Sequence, residues 1–584
     1  MSKRSSNLVG QAADLPPTEA EALLKKHLRK RPRDFAALEA LAGVLASQSR
    51  LPELASNLVK AAMTDRASEG LIIKACEAAQ AMHEVEAALH LAHHGTKRYP
   101  NSWPLWYMLG KSQMATSDAP SAATTLERAH SLAPDNMNVL AALADADLSR
   151  GAFPVPDRHA RELLNRAPQE AVHHVRLGTA HRFNDQLDDA EACFRQAIDL
   201  DPTLQTAHAG LAETLESKGD SQSASDQLEP LISGGTPSFT VVSAWARVQQ
   251  QLGHSDRAIE AMEQYLAAAR GTQAHRNNVL MRLGRAYEKA GRHTDAFRCW
   301  TQGNQTHKGR WNPETQEALI EQMITALNDE QLASMPRAAP DSITPILVVG
   351  MYRSGTTLTE QILSAHPDIA PVGESPAMPR AVEHLASALG PLDQFPGSLA
   401  GVTHDQLEAA RDVYISEVTS FAGDAPYIVD KLPLNYLNLG IASLILPQAR
   451  VLHLMRDPLD TAISCYSQSF ASRMAFTADL DHLGRALVQE RRIMRHWHEA
   501  SDLPIQDVKY EDMVSTPETV LPIMLEFIGL PWTDALMQFH TSTRVAATPS
   551  MDQVRRPINT SAIGRAAPFG ELLDPLRQAL GDLS

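Results

Sequence analysis

With 584 residues the chain is longer than one hydrophobic core organises, so two or more domains are expected. Its 43% hydrophobic and 21% charged residues are ordinary for a globular protein, and a net charge of −16 disfavours bulk binding to nucleic acid or an anionic membrane while leaving room for a local basic pocket. Four cysteines, Cys76, Cys193, Cys299 and Cys465, lie far apart without a C-x-x-C pair, which argues against a disulfide framework and a structural zinc site and for a reducing compartment.

At the N-terminus, Lys3 and Arg4 are followed by no apolar leader segment, and no later run reaches the ~18 apolar residues of a membrane span. A cytoplasmic protein without a membrane span is therefore expected. Residues 15–311 then repeat. Pro32, Pro100, Pro134, Pro168 and Pro202 share one 34-residue frame, whose remaining slot holds Arg66. Within the frame stand Trp106, Leu109-Gly110, Ala122, Leu126 and Ala129, and again Leu177-Gly178, Ala190, Phe194 and Ala197. Leu283-Gly284, Tyr287, Ala296 and Trp300 fit a further unit. These residues resemble tetratricopeptide repeats, about eight helix pairs forming an α-solenoid. Small residues (Gly178, Ala190, Ala197) would let paired helices approach, large ones (Trp106, Phe194) would fill the gap, and proline would end the second helix. The array is either a scaffold or a concave surface for a protein or peptide. The histidine groups His90-His93-His94 and His173-His174 are read as solvated positions, and no metal site is assigned.

Residues 312–343, with Met335-Pro336-Arg337-Ala338-Ala339-Pro340, read as a helical linker. From residue 344 to 584 the pattern changes to strand-type runs, Ile346–Gly350, Tyr427–Asp430, Arg450–Met455 and Ile505–Tyr510, separated by helical segments. That alternation predicts a three-layer α/β domain with a parallel sheet. The first run leads into Gly350-Met351-Tyr352-Arg353-Ser354-Gly355-Thr356-Thr357-Leu358 and then a helical pattern. A strand, a glycine-bearing turn and a helix N-terminus make a phosphate cradle. The spacing is nearly that of a P-loop, but Thr356 replaces the lysine that reaches the β/γ-phosphates, which argues for a nucleotide other than ATP or GTP.

Read with Ala365-His366-Pro367-Asp368, Gly373-Glu374, Lys431, Arg456-Asp457-Pro458, Tyr510-Glu511-Asp512 and Asp552-Gln553-Val554…Pro557-Ile558-Asn559, this turn resembles the sulfotransferases that use 3′-phosphoadenosine-5′-phosphosulfate (PAPS), above all the tyrosylprotein sulfotransferases. The resemblance implies that Arg353, Ser354, Gly355, Thr356 and Thr357 bind the 5′-phosphosulfate, that Arg456 and Ser464 bind the 3′-phosphate, and that Tyr510 lies beside the adenosine. It implies Glu374 as general base and Lys431 as the group that stabilises the leaving phosphate oxygen. Ser550 and Arg565 belong to a loop that would close over the nucleotide, where the family's hydroxyl residue before the Asp is here Met551 and its late lysine is Arg565.

The plainer readings are a helix-capping acid for Glu374, a surface lysine for Lys431, a core tyrosine for Tyr510, and an Arg456 paired only with Asp457 or Asp460. His496-Trp497-His498 reads as surface and core. The resemblance implies PAPS without a metal, and a protein tyrosine presented by the repeats as acceptor. A glycan, lipid or small-molecule hydroxyl, an inactive nucleotide-binding scaffold, and a homodimer are left open.

Overall fold

The computed structural model describes residues 3–583 except 33, 49–50, 65–66, 83, 117, 151–153, 307–308, 310, 392–394, 424, 471 and 542–556. The chain divides into two compact units, Met1–His254 and Ser255–Ser584. Among the described residues, no helix is long and apolar enough to cross a membrane.

The first unit is built from paired helices such as Trp103–Ala115 with Ala119–Leu132 and Ala171–Phe183 with Leu187–Leu200. Ser102, Asp118 and Asn136 cap the helices that follow them, each accepting from backbone amides in the first turn. Phe194 is the wedge of its repeat. A Cβ on Gly178 would lie 3.1 Å from its ring, and one on Gly210 would overlap it. Trp106 differs from the expectation. Leu126, not Trp106, lies against Gly110, and the half-buried Trp106 donates its Nε1 hydrogen to the Pro100 carbonyl at 2.8 Å. His174 and His208 stand at the same place in later repeats, with Nε2 at 2.9 Å from the carbonyls of Pro168 and Pro202. A carbonyl can only accept, so these imidazoles act as donors that tie each helix to the preceding turn.

The second unit begins with three helices of repeat type, Ser255–Ala267, Gln273–Lys289 and His293–Asn304. They belong with the α/β core because their large residues pack there. Trp300 lies 5.5 Å from Phe569, Phe297 stacks on Tyr466 at 5.5 Å, and the buried Asn304 donates to the Tyr466 carbonyl at 2.9 Å. The expected linker is a core element as well. Its helices Pro313–Ala326 and Asp329–Ser334, with Leu327 between them, bury Ile320, Met323, Leu327 and Leu332 in the same cluster as Leu347 and Val451, and Ala338 donates to the Leu444 carbonyl at 2.8 Å. The proline-rich stretch that reads as a tether is thus apolar chain laid against the sheet domain.

Five parallel strands form one sheet: β1 (Thr344–Gly350), β2 (Ile369–Gly373), β3 (Tyr427–Asp430), β4 (Arg450–Met455) and β5 (Ile505–Lys509), in the order β2-β3-β1-β4-β5. The central strand β1 pairs with β3 from Thr344↔Tyr427 and with β4 from Ile346↔Arg450. Its residues are buried on both faces, and successive side chains go to opposite layers. Leu347 and Val349 join Ile428 and Val451 on one side, while Ile346 and Val348 join Val429, Leu452 and Leu454 on the other. Helices cover both layers. Strand β2 is absent from the sequence-based expectation because Ile-Ala-Pro-Val-Gly carries a proline and a glycine. At a half-exposed edge both are tolerated, at the cost of a register shift between Pro371 and Gly373.

Candidate active site

In an open parallel sheet, ligands gather at the carboxyl ends of the strands, where the strand order changes direction. Here β1 is flanked by β3 and β4, so its C-terminal turn sits at that point. Each of the five strands leads into expected site residues. Arg353–Gly355 lie in the turn after β1, with Thr356 and Thr357 opening the next helix, Glu374 follows β2, Lys431 follows β3, Arg456 follows β4 and Tyr510 follows β5.

The turn after β1 is built for close approach. Arg353 adopts φ 69° and Gly355 φ 109°, both left-handed, and Gly355 leads into the helix Thr356–Leu363, whose N-terminus has no side-chain cap. Its first amides therefore point outward with the positive end of the helix dipole. Tyr510 packs directly on this turn, since a Cβ on Gly355 would lie 2.6 Å from its ring. The Arg456 guanidinium covers the same ring at 4.8 Å and donates to the Arg353 carbonyl at 3.1 Å and to the Ala562 carbonyl. Arg353 Nε donates to Ser464 Oγ at 3.1 Å.

Asp460 is 3.8 Å from Arg456, but its two oxygens chiefly accept the Gly564 and Ala566 amides, each at 2.7 Å. The pairing of Arg456 with Asp460 alone thus does not describe the residue. The Arg456 Nε and Ser354 Oγ are buried and have no hydrogen-bond partner among the described residues. Two orphaned donors beside an uncapped helix N-terminus suit an anion. Arg565 turns to Glu288 in a two-bond contact of 2.7 and 2.8 Å and to Ser467 Oγ at 2.9 Å. Ser550 and the neighbouring Met551–Val554 lie outside the described residues.

The other half of the site is carboxylate and lysine. β2 and β3 end side by side, with Gly373 opposite Asp430, and the Lys431 amide donates to the Gly373 carbonyl at 3.1 Å. This brings Lys431 Nζ to 2.7 Å from Glu374 Oε1. The lysine is fully buried, so it is no surface residue. Glu374 does not cap the next helix, whose N-cap is Pro376. Two further acids escape a reading of the sequence. Glu360, on the helix after the turn, lies 3.9 Å from Lys431, and burial pushes its carboxyl up to about 7. Asp430 is likewise pushed up to about 7 by burial, while Tyr414 donates to it at 3.1 Å. Their sequence signal is faint: a lone acid in Thr-Thr-Leu-Thr-Glu-Gln-Ile-Leu and an acid ending an apolar strand.

His453, His498 and Asp507 hold ligand-type atoms within 4.8 Å of one another at the far edge of the sheet. The buried His453 uses both ring nitrogens on carboxylates, Asp507 at 2.7 Å and Glu490 at 2.6 Å. Trp497 is buried and donates to the Tyr436 carbonyl at 2.8 Å, and His496 lies 3.0 Å from the Leu327 carbonyl.

Residues 345–534 match the model of the Sulfotransferase family, and residues 174–204 and 243–298 match models of the tetratricopeptide repeat. An uncharacterised protein of Aquifex aeolicus (strain VF5) is 32% identical over 335 residues, 56% of this chain and 44% of that protein. Protein-tyrosine sulfotransferase 1 of Danio rerio is 28% identical over 43% of this chain and 74% of its own length. The Homo sapiens protein-tyrosine sulfotransferase 1 is 27% identical over 38% of this chain and 62% of its own length. The matches therefore span from under half to about three quarters of these relatives. The chain carries a sulfotransferase-family domain, preceded by tetratricopeptide repeats.

Proposed function

We propose that the chain moves the sulfuryl group of PAPS onto an acceptor hydroxyl, and that the acceptor is a protein tyrosine presented by the repeats. The observation that carries this reading is the placement of Glu374, Lys431, Arg456, Tyr510 and the turn 351–355 directly after the five strand ends. When bound, PAPS would supply an activated sulfuryl group at the end of its 5′-phosphosulfate, with a separate phosphate on the ribose 3′ oxygen. The orphaned Ser354 Oγ and Arg456 Nε fit those phosphates, as do the uncapped amides of the helix Thr356–Leu363. No γ-phosphate needs holding, so threonine at 356 is compatible with the task.

Glu374 acts as general base. A tyrosine hydroxyl has a pKa of about 10, so a carboxylate that takes its proton as the new bond forms lowers the barrier at neutral pH. Its partial exposure gives it access to an incoming acceptor. Lys431, fixed in the interior, places a positive charge where negative charge develops on the departing phosphate oxygen. Protein substrates are supported by the repeats, and tyrosine by the names of the animal relatives. The test is incubation of the full chain with labelled PAPS and a cell lysate. Label on protein tyrosine is expected. Label confined to glycan or lipid would keep the chemistry and overturn the acceptor, and no transfer to any fraction would overturn the reading.

A further inference from the structure

We propose that Arg285, on the repeat-type helix Gln273–Lys289, is a ligand of the donor nucleotide and closes the pocket of Arg353, Arg456 and Arg565 by taking the phosphate at the ribose 3′ end. This rests on the donor reading above. Glu288, one helical turn from Arg285 and on the same face, grips Arg565 with bonds of 2.7 and 2.8 Å. Arg565 also donates to Ser467, and Arg353 donates to Ser464. These two serines are three residues apart at the end of the helix Pro458–Tyr466, so the two guanidiniums lie side by side and Glu288 brings the repeat helix up to them. The helix is seated firmly, because Gly284 lies flat against the buried Trp300.

Arg285 is half-buried and has no hydrogen-bond or salt-bridge partner among the described residues. Burial, with Arg282, Arg565 and Arg353 as neighbours, lowers its pKa to about 10. The nearby carboxylate, Glu288, is engaged by Arg565, and Asp460 by the Gly564 and Ala566 amides. A partly desolvated guanidinium among like charges is unfavourable by itself. A phosphate dianion offsets it, and Arg is suited to grip two phosphate oxygens at once. Such a contact also gives a reason for the last repeat helices to belong to the same compact unit as the sheet.

The test compares adenosine 3′,5′-bisphosphate with adenosine 5′-phosphate by calorimetry on the full chain and its Arg285→Gln and Arg285→Lys variants. Arg285→Gln is expected to weaken the bisphosphate ~10–100-fold and the 5′-phosphate by no more than about threefold. Arg285→Lys, which keeps the charge without the fork, should fall between wild type and Arg285→Gln for the bisphosphate alone. Wild-type affinity in Arg285→Gln overturns the assignment, as does an equal loss of both nucleotides in either variant. Should Arg285→Gln not fold, unchanged bisphosphate affinity in Arg285→Lys decides against the assignment and a selective loss decides for it. A wild-type chain that binds no bisphosphate overturns the donor reading itself, which separates that failure from a failure of Arg285 alone.

Discussion

Lys431 and Glu374 meet at 2.7 Å from unequal surroundings: the lysine side chain is 0% exposed and the glutamate 43%. Lys431 cannot leave its place without dragging charge through the core, whereas Glu374 can turn to solvent. Glu360, 3.9 Å away on the inner side, stays beside the lysine when it does. The pair therefore divides into a fixed cation and a movable carboxylate, as expected for an electrostatic stabiliser and a base.

Removing either group should lower turnover far more than nucleotide binding. Glu374→Ala and Lys431→Ala are each expected to reduce kcat ~10²–10⁴-fold in assays with labelled PAPS. Affinity for adenosine 3′,5′-bisphosphate, measured by calorimetry, should stay within about threefold, since neither group belongs to the turn proposed to hold the phosphates. Full activity in either variant removes that residue from the chemistry.

The raised carboxyl of Glu360 makes stability depend on pH. Its folded pKa of about 7 exceeds its ordinary value of 4.5, so the folded state holds the proton over a range where the unfolded state has lost it. The stabilisation is complete below pH 4.5 and is lost as pH rises towards about 7. The full effect is on the order of 3 kcal/mol. Glu360→Gln, uncharged at every pH, should flatten the stability curve between these limits and melt higher than wild type at pH 8. Parallel curves for the two proteins, by denaturant titration, would contradict the burial account.

The last repeat helices are coupled to the sheet unit through Trp300. A Cβ on Gly284 would collide with its indole, which is buried, donates to the Met281 carbonyl at 3.3 Å and lies 5.5 Å from Phe569. The ring has nowhere to go. Gly284→Ala should cost about 1–3 kcal/mol and lower Tm by several degrees, as read by thermal denaturation. An unchanged Tm would mean that the helix pair is free to part.

The proposed site residues are legible because each is placed by local chain. Arg353 to Thr357 carry glycine and hydroxyl chemistry in a strand-turn-helix pattern, and Glu374, Lys431, Arg456 and Tyr510 each follow a strand end. The β1, β3 and β4 runs were readable from continuous apolar stretches, while β2 was hidden by Pro371 and Gly373 at a sheet edge. What stayed hidden depends on distant pairings. Glu288 meets Arg565 across 277 residues, and Arg485 meets Glu317 across 168, so neither the repeat helix nor the apparent linker announces its place beside the sheet. Periodicity marks both Trp106 and Phe194 as large repeat residues, but only packing shows that Trp106 is half-buried while Phe194 is buried.

Gly355 offers the sharpest test of the turn itself. At φ 109° an L side chain is strained by about 1–3 kcal/mol, and its Cβ would lie 2.6 Å from the Tyr510 ring. That ring is 9% exposed and covered by Arg456 at 4.8 Å, so relief requires moving the arginine as well. Gly355→Ala should therefore weaken adenosine 3′,5′-bisphosphate at least ~10-fold and lower Tm. If Gly355→Ala alone binds the bisphosphate like wild type, the backbone of this turn does not hold the phosphate. The anion would then have to be carried by the arginines without the helix N-terminus.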